Sequence, residues 1–298
     1  MNLRDLQYLV ALADTGHFGR AAQKSHVSQP TLSAQIKKLE DQLGVQLLER
    51  RPRNVALTEV GERVVARARR ILQEAGDITE LARASRDPLA GALKVALIPT
   101  LGPYLLPIVT PRLRKQLPRL QLLLYEYQTE ALVERLRAGE LDLGVLALGV
   151  DLAGLEVLPL HEEAFTLAVP AAHRLAKKAA VRPDDLAGET LLLLEDGHCL
   201  RDQALDVCSR IDVREAEDFR ATSLETLRQM VAAGLGVTLL PELATQGPFA
   251  QAKSVAIRPF AKPAPRRTIG AVWRKSSTRS PAIAAVCAAL KDALAAGT

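Results

Sequence analysis

Two of the three cysteines in this 298-residue chain, Cys199 and Cys208, stand nine positions apart in the stretch Glu195–Cys208. Gly197 marks the point where a short apolar run, Leu191 to Leu194, gives way to a helical pattern. Leu200, Ala204, Val207 and Ile211 recur at helical spacing, so the segment after Cys199 reads as a short amphipathic helix. Cys199 then sits at a helix N-terminus beside His198 and Arg201. Unpaired amides and nearby positive charge favour a thiolate, the reactive form of cysteine. Cys208 falls next to Val207 on the apolar side, where a buried, inert thiol is the ordinary reading. A continuous helix separates the two positions by about 13 Å of rise and puts them on opposite sides. A disulfide needs Cα atoms within roughly 4.4–6.8 Å. The pair cannot be bridged while this helix stands; if it does pair, the segment must unwind. The alternative is two unrelated core cysteines, since free cysteine is among the most buried residue types. The Cys-x8-Cys spacing lacks the close ligand pairs of a structural zinc site, so no metal is expected. No cofactor is expected either.

The elements that must position these residues follow from the whole chain. Its length fits two domains. Hydrophobic residues make up 48% and aromatics 3%, so the core must be built of Leu, Val and Ala. The net charge of +5 is concentrated: His17 to Arg70 carries +6 and the remainder −1. Such an N-terminal basic patch permits nucleic-acid binding. No apolar signal region follows Met1, and no run approaches the roughly 18 apolar residues of a membrane span. With an odd number of cysteines, this predicts a cytoplasmic protein in a reducing compartment.

Leu3, Leu6, Leu9, Val10 and Ala13 predict a first helix and Phe18–Lys24 a second. After a turn at Ser25-His26-Val27, Ser28 is an N-cap, and Gln29, Pro30 and Thr31 form the first turn of a third helix. Its buried side is Leu32, Ile36, Leu39 and Leu43. Its other side carries Gln29, Thr31, Ser33, Gln35, Lys37 and Lys38, the groups that major-groove reading requires. Leu47–Thr58 reads as a hairpin wing with Arg50, Arg51 and Arg53 at its tip, able to track phosphates or enter the minor groove.

From Glu59 to about Ser85 one long helix is expected. Its thin seam of Val64, Ala68, Ile71, Ala75, Ile78 and Ala82 suits pairing with a partner subunit. Asp87-Pro88 opens an alternating β/α regime with strands at Leu93–Ile98, Gln121–Tyr125 and Asp142–Leu146, which predicts a parallel sheet. A second set runs from Phe165 to about Ile257, and Thr268–Trp273 with a helix around Ala282–Leu294 returns to the first. Thr100 and Thr129 lie just past strand ends, where ligands of such sheets bind; either is equally a helix N-cap. Cys287, among Ile283, Val286 and Leu290, is assigned to the core. His161 and His173 are assigned no function.

The predicted organisation is therefore an all-α winged helix-turn-helix over 1–58, a linker helix over 59–87 and an α/β effector domain over 88–298. That domain would have two Rossmann-like lobes, one of 88–162 with 268–298 and one of 163–267, arranged as in periplasmic binding proteins.

The text His26-Val27-Ser28-Gln29-Pro30-Thr31-Leu32-Ser33, with Lys38-Leu39-Glu40 and Leu47-Leu48-Glu49-Arg50, resembles the LysR-type transcriptional regulators. Within that family, Gly197–Gln203 with Cys208, Ile98–Pro107 and Phe219–Leu227 resemble the hydrogen peroxide-sensing branch. The resemblance implies that Cys199 is oxidised first, to a sulfenic acid, and that Cys208 resolves it to a disulfide. It implies that Thr100 and Thr129 bind peroxide, and that His198, Arg201 and Asp202 support the thiolate or hold the reduced segment. It further implies a homotetramer built as a dimer of dimers that binds double-stranded promoter DNA and works with RNA polymerase on oxidative-stress genes. A glutaredoxin- or glutathione-type reductant would reset it. Three rival readings are a LysR-type regulator with an organic effector and structural cysteines, a thiol peroxidase, and a DNA-coating protein. A regulator, rather than an enzyme, accounts for the N-terminal reading head.

Overall fold

A computed structural model describes residues 1–50, 55–84, 87–209, 211–246 and 254–296. Contacts divide the chain into one unit of Met1–Arg86 with Ala138–Glu140, and a second of Asp87–Arg137 with Leu141–Thr298.

In the first unit, helices α1 (Leu3–Thr15), α2 (Phe18–Lys24) and α3 (Gln29–Leu43) precede a hairpin of β1 (Leu48–Arg50) and β2 (Val55–Leu57) and the long α4 (Glu59–Ala84). Local chemistry sets the boundaries. Asn2 and Asp5 close a capping box on α1, and Gly16 ends it in the left-handed region at φ 60°. The Ser28 side chain accepts from the Thr31 amide at 3.3 Å to start α3. Leu9, Leu12, Ala21, Leu32, Ile36, Leu39 and Leu47 form the buried centre of this unit. The wing pairs antiparallel, Leu48 opposite Leu57 and Arg50 opposite Val55, adding two short strands to the expected all-α unit. The expected wing-tip residues Arg51 and Arg53 lie outside the described residues.

The α4 seam does not behave as one surface. Ala68 is buried, and its buried companion near the front of the helix is Val65, with Val64 only partly covered. Further along, Ile71 is 42% exposed and Ile78 70% exposed. The front of the helix packs on its own unit, and the later residues leave bulky apolar side chains in solvent.

In the second unit, β3 (Gly91–Leu97), α5 (Gly102–Gln116), β4 (Leu120–Glu126), α6 (Thr129–Arg137) and β5 (Leu143–Ala147) alternate as expected. They lead into β6 (Leu155–Pro170), then β7 (Thr190–Leu194), α7 (Cys199–Cys208), β8 (Arg214–Ala221), α8 (Leu224–Ala232) and β9 (Thr238–Pro241). β10 (Val255–Pro259), β11 (Arg266–Arg274) and α9 (Ser280–Ala296) complete the unit. β3 is parallel to β4 and β5. The expectation of a wholly parallel sheet is corrected by β11, which enters antiparallel between β5 and β6.

Two cores sit in this unit. The first gathers Leu93, Leu97, Leu132, Val145, Ile269 and, from α9, Val286, Cys287 and Leu290. The second gathers Phe165, Leu167, Leu191 to Leu194, Leu200, Ala204, Cys208, Leu227 and Leu239. β6 serves both. Its residues up to Ala164 pair with β11, and Phe165 to Pro170 pair with β9 and β10.

Candidate redox site and DNA-reading surface

The redox site is built where β7 ends. The four leucines Leu191 to Leu194 are buried, and the Glu195 amide then donates to the Ala221 carbonyl at 2.9 Å, tying the departing chain to β8. Gly197 turns the chain at φ +91°, in the left-handed region that glycine alone tolerates freely. Gln128 lies directly over it: a Cβ at Gly197 would stand 2.7 Å from Gln128 Oε1. The Gln128 amide also donates to Glu195 Oε1 at 3.3 Å. Cys199 begins α7 two positions after Gly197, with His198 between them.

The two ends of α7 face different interiors. Leu200, Ala204 and Cys208 belong to the second core, whereas Cys199 packs, half-buried, against the first. All three cysteines are free thiols. Burial pushes the Cys208 thiol up, and it pushes Cys287 up to about 12. Both therefore stay protonated and weakly nucleophilic in this fold. Cys287 takes the core position that its spacing indicates.

His198 and Arg201 do not supply the positive charge that their sequence positions promised. His198 is 5% exposed, and burial lowers its pKa more than Glu195, 3.8 Å away, raises it. Its imidazole is therefore neutral near pH 7. Arg201 pairs with Glu215 at 2.6 Å and Asp196 at 2.9 Å, and Arg220 joins the same Glu215 at 2.7 Å. Arg201 is thus a brace from α7 to β8, its charge already matched by carboxylates. Cys199 stands in the first turn of α7, where His198 at the cap position supplies no side-chain hydrogen bond to the helix amides.

A cavity of about 390 Å3 opens beside Cys199, lined among others by Gly197, Asp202, Thr129 and Val133. Thr129 is 7% exposed, and its Oγ1 has no hydrogen-bond partner. It begins α6 without capping it. Thr100 is also buried but does not line this cavity. Its Oγ1 accepts from Arg267 Nη1 at 3.0 Å, and its carbonyl accepts from Nη2 at 3.3 Å. Arginine can only donate, so Thr100 Oγ1 is an acceptor here and its own hydrogen is free to point elsewhere. Arg267 is held in turn by Glu163 at 2.7 Å, and Glu163 accepts the Leu243 amide at 2.9 Å. Gln128, Glu163 and Arg267 were not found by sequence reasoning. Arg267 and Glu163 are 104 positions apart, and only the β11–β6 register makes them opposite partners.

The residues expected to read DNA lie on α3 and at its cap. Ser28, Gln29, Pro30, Thr31, Lys37 and Lys38 are exposed, and Ser33 and Gln35 are half-buried on the same helix. Ser28 is engaged as the cap, its Oγ 2.7 Å from Thr31 Oγ1. Arg50 ends β1, and its side chain lies outside what is described. Among the described residues no group of His, Cys, Asp and Glu could hold a metal ion, and no helix is long and apolar enough to cross a membrane.

Comparison with known proteins agrees with both units. Residues 3–62 match the family described as bacterial regulatory helix-turn-helix protein, lysR family, and residues 86–295 match the LysR substrate binding domain. The DNA-binding transcriptional dual regulator OxyR of Escherichia coli K12 is 50% identical over 277 residues, covering 93% of this chain and 90% of that protein. Full-length OxyR C199D from Pseudomonas aeruginosa superposes with a TM-score of 0.78 at 43% identity, covering 98% of this chain and 95% of that one. An H2O2-bound cysteine-to-serine mutant of Corynebacterium glutamicum OxyR superposes with a TM-score of 0.69 at 35% identity, covering 99% and 93%. The chain belongs to the LysR family of bacterial transcriptional regulators, in its OxyR branch.

Proposed function

We propose that this chain is a DNA-binding transcriptional regulator that senses hydrogen peroxide through Cys199 and Cys208 and controls oxidative-stress defence genes. The observation that carries the proposal is the contrast between the two thiols of α7. Cys199 is half-exposed at the helix start, on a cavity shared with an unpartnered Thr129 hydroxyl. Cys208 is sealed in a core at the other end. An H2O2-bound relative supports the oxidant.

The chemistry runs in two steps. The Cys199 thiolate attacks one oxygen of hydrogen peroxide; the O–O bond breaks and the other oxygen leaves as water after taking a proton. Sulfur becomes a sulfenic acid. The Thr129 hydroxyl hydrogen-bonds the bound peroxide, and Thr100, held by Arg267, keeps its O–H for donation. Next the Cys208 thiolate attacks the sulfenic sulfur; the S–S bond forms, the S–O bond breaks and the oxygen leaves as water. About 13 Å of helical rise separates the two residues, so α7 unwinds before this second step. Arg201 and Asp202 belong to the segment that changes. Cys208 must leave its core, and that local refolding is the signal.

The signal passes to residues 1–58 through α4, whose exposed Ile71 and Ile78 suit a partner subunit. The assembly is a homotetramer that sets paired α3 helices on DNA and engages RNA polymerase. Gln29, Pro30, Thr31, Ser33 and Gln35 read bases, and Lys37, Lys38 and the wing arginines Arg50, Arg51 and Arg53 hold phosphates. Thiol–disulfide exchange with a glutaredoxin- or glutathione-type reductant resets the pair: the reductant's thiolate opens the S–S bond to a mixed disulfide, and a second reductant thiol releases the free cysteines as the reductant becomes a disulfide.

Non-reducing peptide mapping of reduced protein after stoichiometric peroxide tests this reading. A Cys199–Cys208 linkage with free Cys287 is expected. Cys199→Ser should bind promoter DNA but lose the peroxide response. Thiols that stay free at stoichiometric peroxide would return the cysteines to a structural role.

A further inference from the structure

The cavity beside Cys199 carries more charge than a site for a neutral oxidant requires. Glu130 and Glu134 reach it from α6, and Asp202 reaches it from α7, one turn beyond Cys199. Positions 130, 134 and 137 share a helical face by their spacing. The cation among the lining residues, Arg137, already faces a carboxylate, Asp151, at 3.2 Å. Glu130, Glu134 and Asp202 are not engaged in ion pairs among the described residues. Glu130 and Asp202 lie in first turns, where acidic residues stabilise a helix through its dipole. Glu134 lies a turn further in and gains nothing there. Below this rim the buried, unpartnered Thr129 Oγ1 offers one neutral hydrogen-bonding group.

We propose that Glu130, Glu134 and Asp202 form an electrostatic filter that admits neutral peroxides to Cys199 and turns away anionic oxidants and anionic thiols. The identity of the natural oxidant rests on the peroxide-sensor reading above; the filter itself rests on charge and geometry. Hydrogen peroxide and small alkyl hydroperoxides are neutral at physiological pH and feel only a dipolar field. An anion approaching the thiol meets three like charges with no free cation among the described lining residues to offset them.

The test uses the full chain and two alkylating reagents of similar size and the same leaving group, iodoacetamide and iodoacetate. With each, the Cys199 thiolate forms an S–C bond, the C–I bond breaks and iodide leaves. Quenched peptide mass mapping gives both rates at Cys199, and their ratio cancels any change in thiolate fraction. At low ionic strength the Glu130→Gln/Glu134→Gln protein should narrow the preference for iodoacetamide roughly three- to fivefold relative to the natural chain, as expected for two charges near 10 Å in a wet site. In high salt the two proteins should converge. Both substituted positions are exposed, and an unchanged melting curve establishes that the fold is retained. An equal ratio in the two proteins at low ionic strength overturns the filter. Non-reducing peptide mapping with dimedone present during stoichiometric peroxide, on the same samples, separates the two ideas, because it detects both the sulfenic acid and the disulfide that Cys208 forms from it. A shifted ratio with a Cys199 that yields neither product leaves the filter standing and removes the peroxide sensor.

Discussion

Arg267 and Glu163 stand opposite each other across the β11–β6 pair, with side chains 0% and 4% exposed, and join at 2.7 Å. Each also holds a different part of the unit: Arg267 holds Thr100 and Glu163 holds the Leu243 amide. Removing one partner leaves an uncompensated buried charge. Glu163→Ala should therefore destabilise the second unit by about 3–5 kcal/mol, measured by urea unfolding. Replacing both residues by methionine should recover most of that loss, because two buried charges are removed together. A single substitution costing under about 1 kcal/mol would mean that water reaches the pair.

Gly197→Ala tests the turn before Cys199. The backbone angle of +91° disfavours any side chain, and the new methyl would meet Gln128 Oε1 at 2.7 Å. The expected loss is about 1–3 kcal/mol of local stability. Amide hydrogen exchange across residues 195–208 should speed up in the reduced protein, and disulfide formation should accelerate with it. Gln128→Ala in the same chain relieves the contact but not the backbone strain, so it should restore part of the protection. Exchange unchanged by Gly197→Ala would show that the turn is freer than its contacts indicate.

The buried His198 gives the reduced segment a pH dependence. Its folded pKa is lowered below the ordinary value of 6.5, chiefly by burial. The unfolded chain thus binds a proton more readily than the folded one, and stability falls as pH falls. The contribution is complete above about 6.5, and it is lost progressively as pH drops through that value toward the lower folded pKa. Denaturation midpoints measured from pH 7.5 to 5 should decline. His198→Asn should flatten the decline over that window. An identical slope in both proteins would remove His198 as its source.

Much of this protein was legible from local patterns. Ser28 caps α3 because capping is settled within three residues, and Cys287 is buried because Ile283, Val286 and Leu290 surround it at helical spacing. The helix from Cys199 to Cys208 was readable from its apolar spacing. What the sequence hid depends on distant register. Nothing local says that β11 runs antiparallel, and so nothing places Arg267 beside Glu163 and Thr100. Likewise, the spacing that puts His198 next to Cys199 cannot say that the ring is buried and neutral. Nor can a regular seam on α4 tell Ala68, which is buried, from Ile78, which is left in solvent.

β6 passes through both cores as one hydrogen-bonded strand, laddered to β11 on one side of Ala164 and to β9 and β10 beyond it. A clamshell protein closes by rotating its halves about loose connecting segments. Here that rotation would have to wind a ladder-bound strand, which behaves as a stiff torsion bar. Large jaw-like closure around a ligand is therefore disfavoured. A signal that arises at Cys199 must travel by rewriting the shape of one lobe's surface, with the frame beneath it held still.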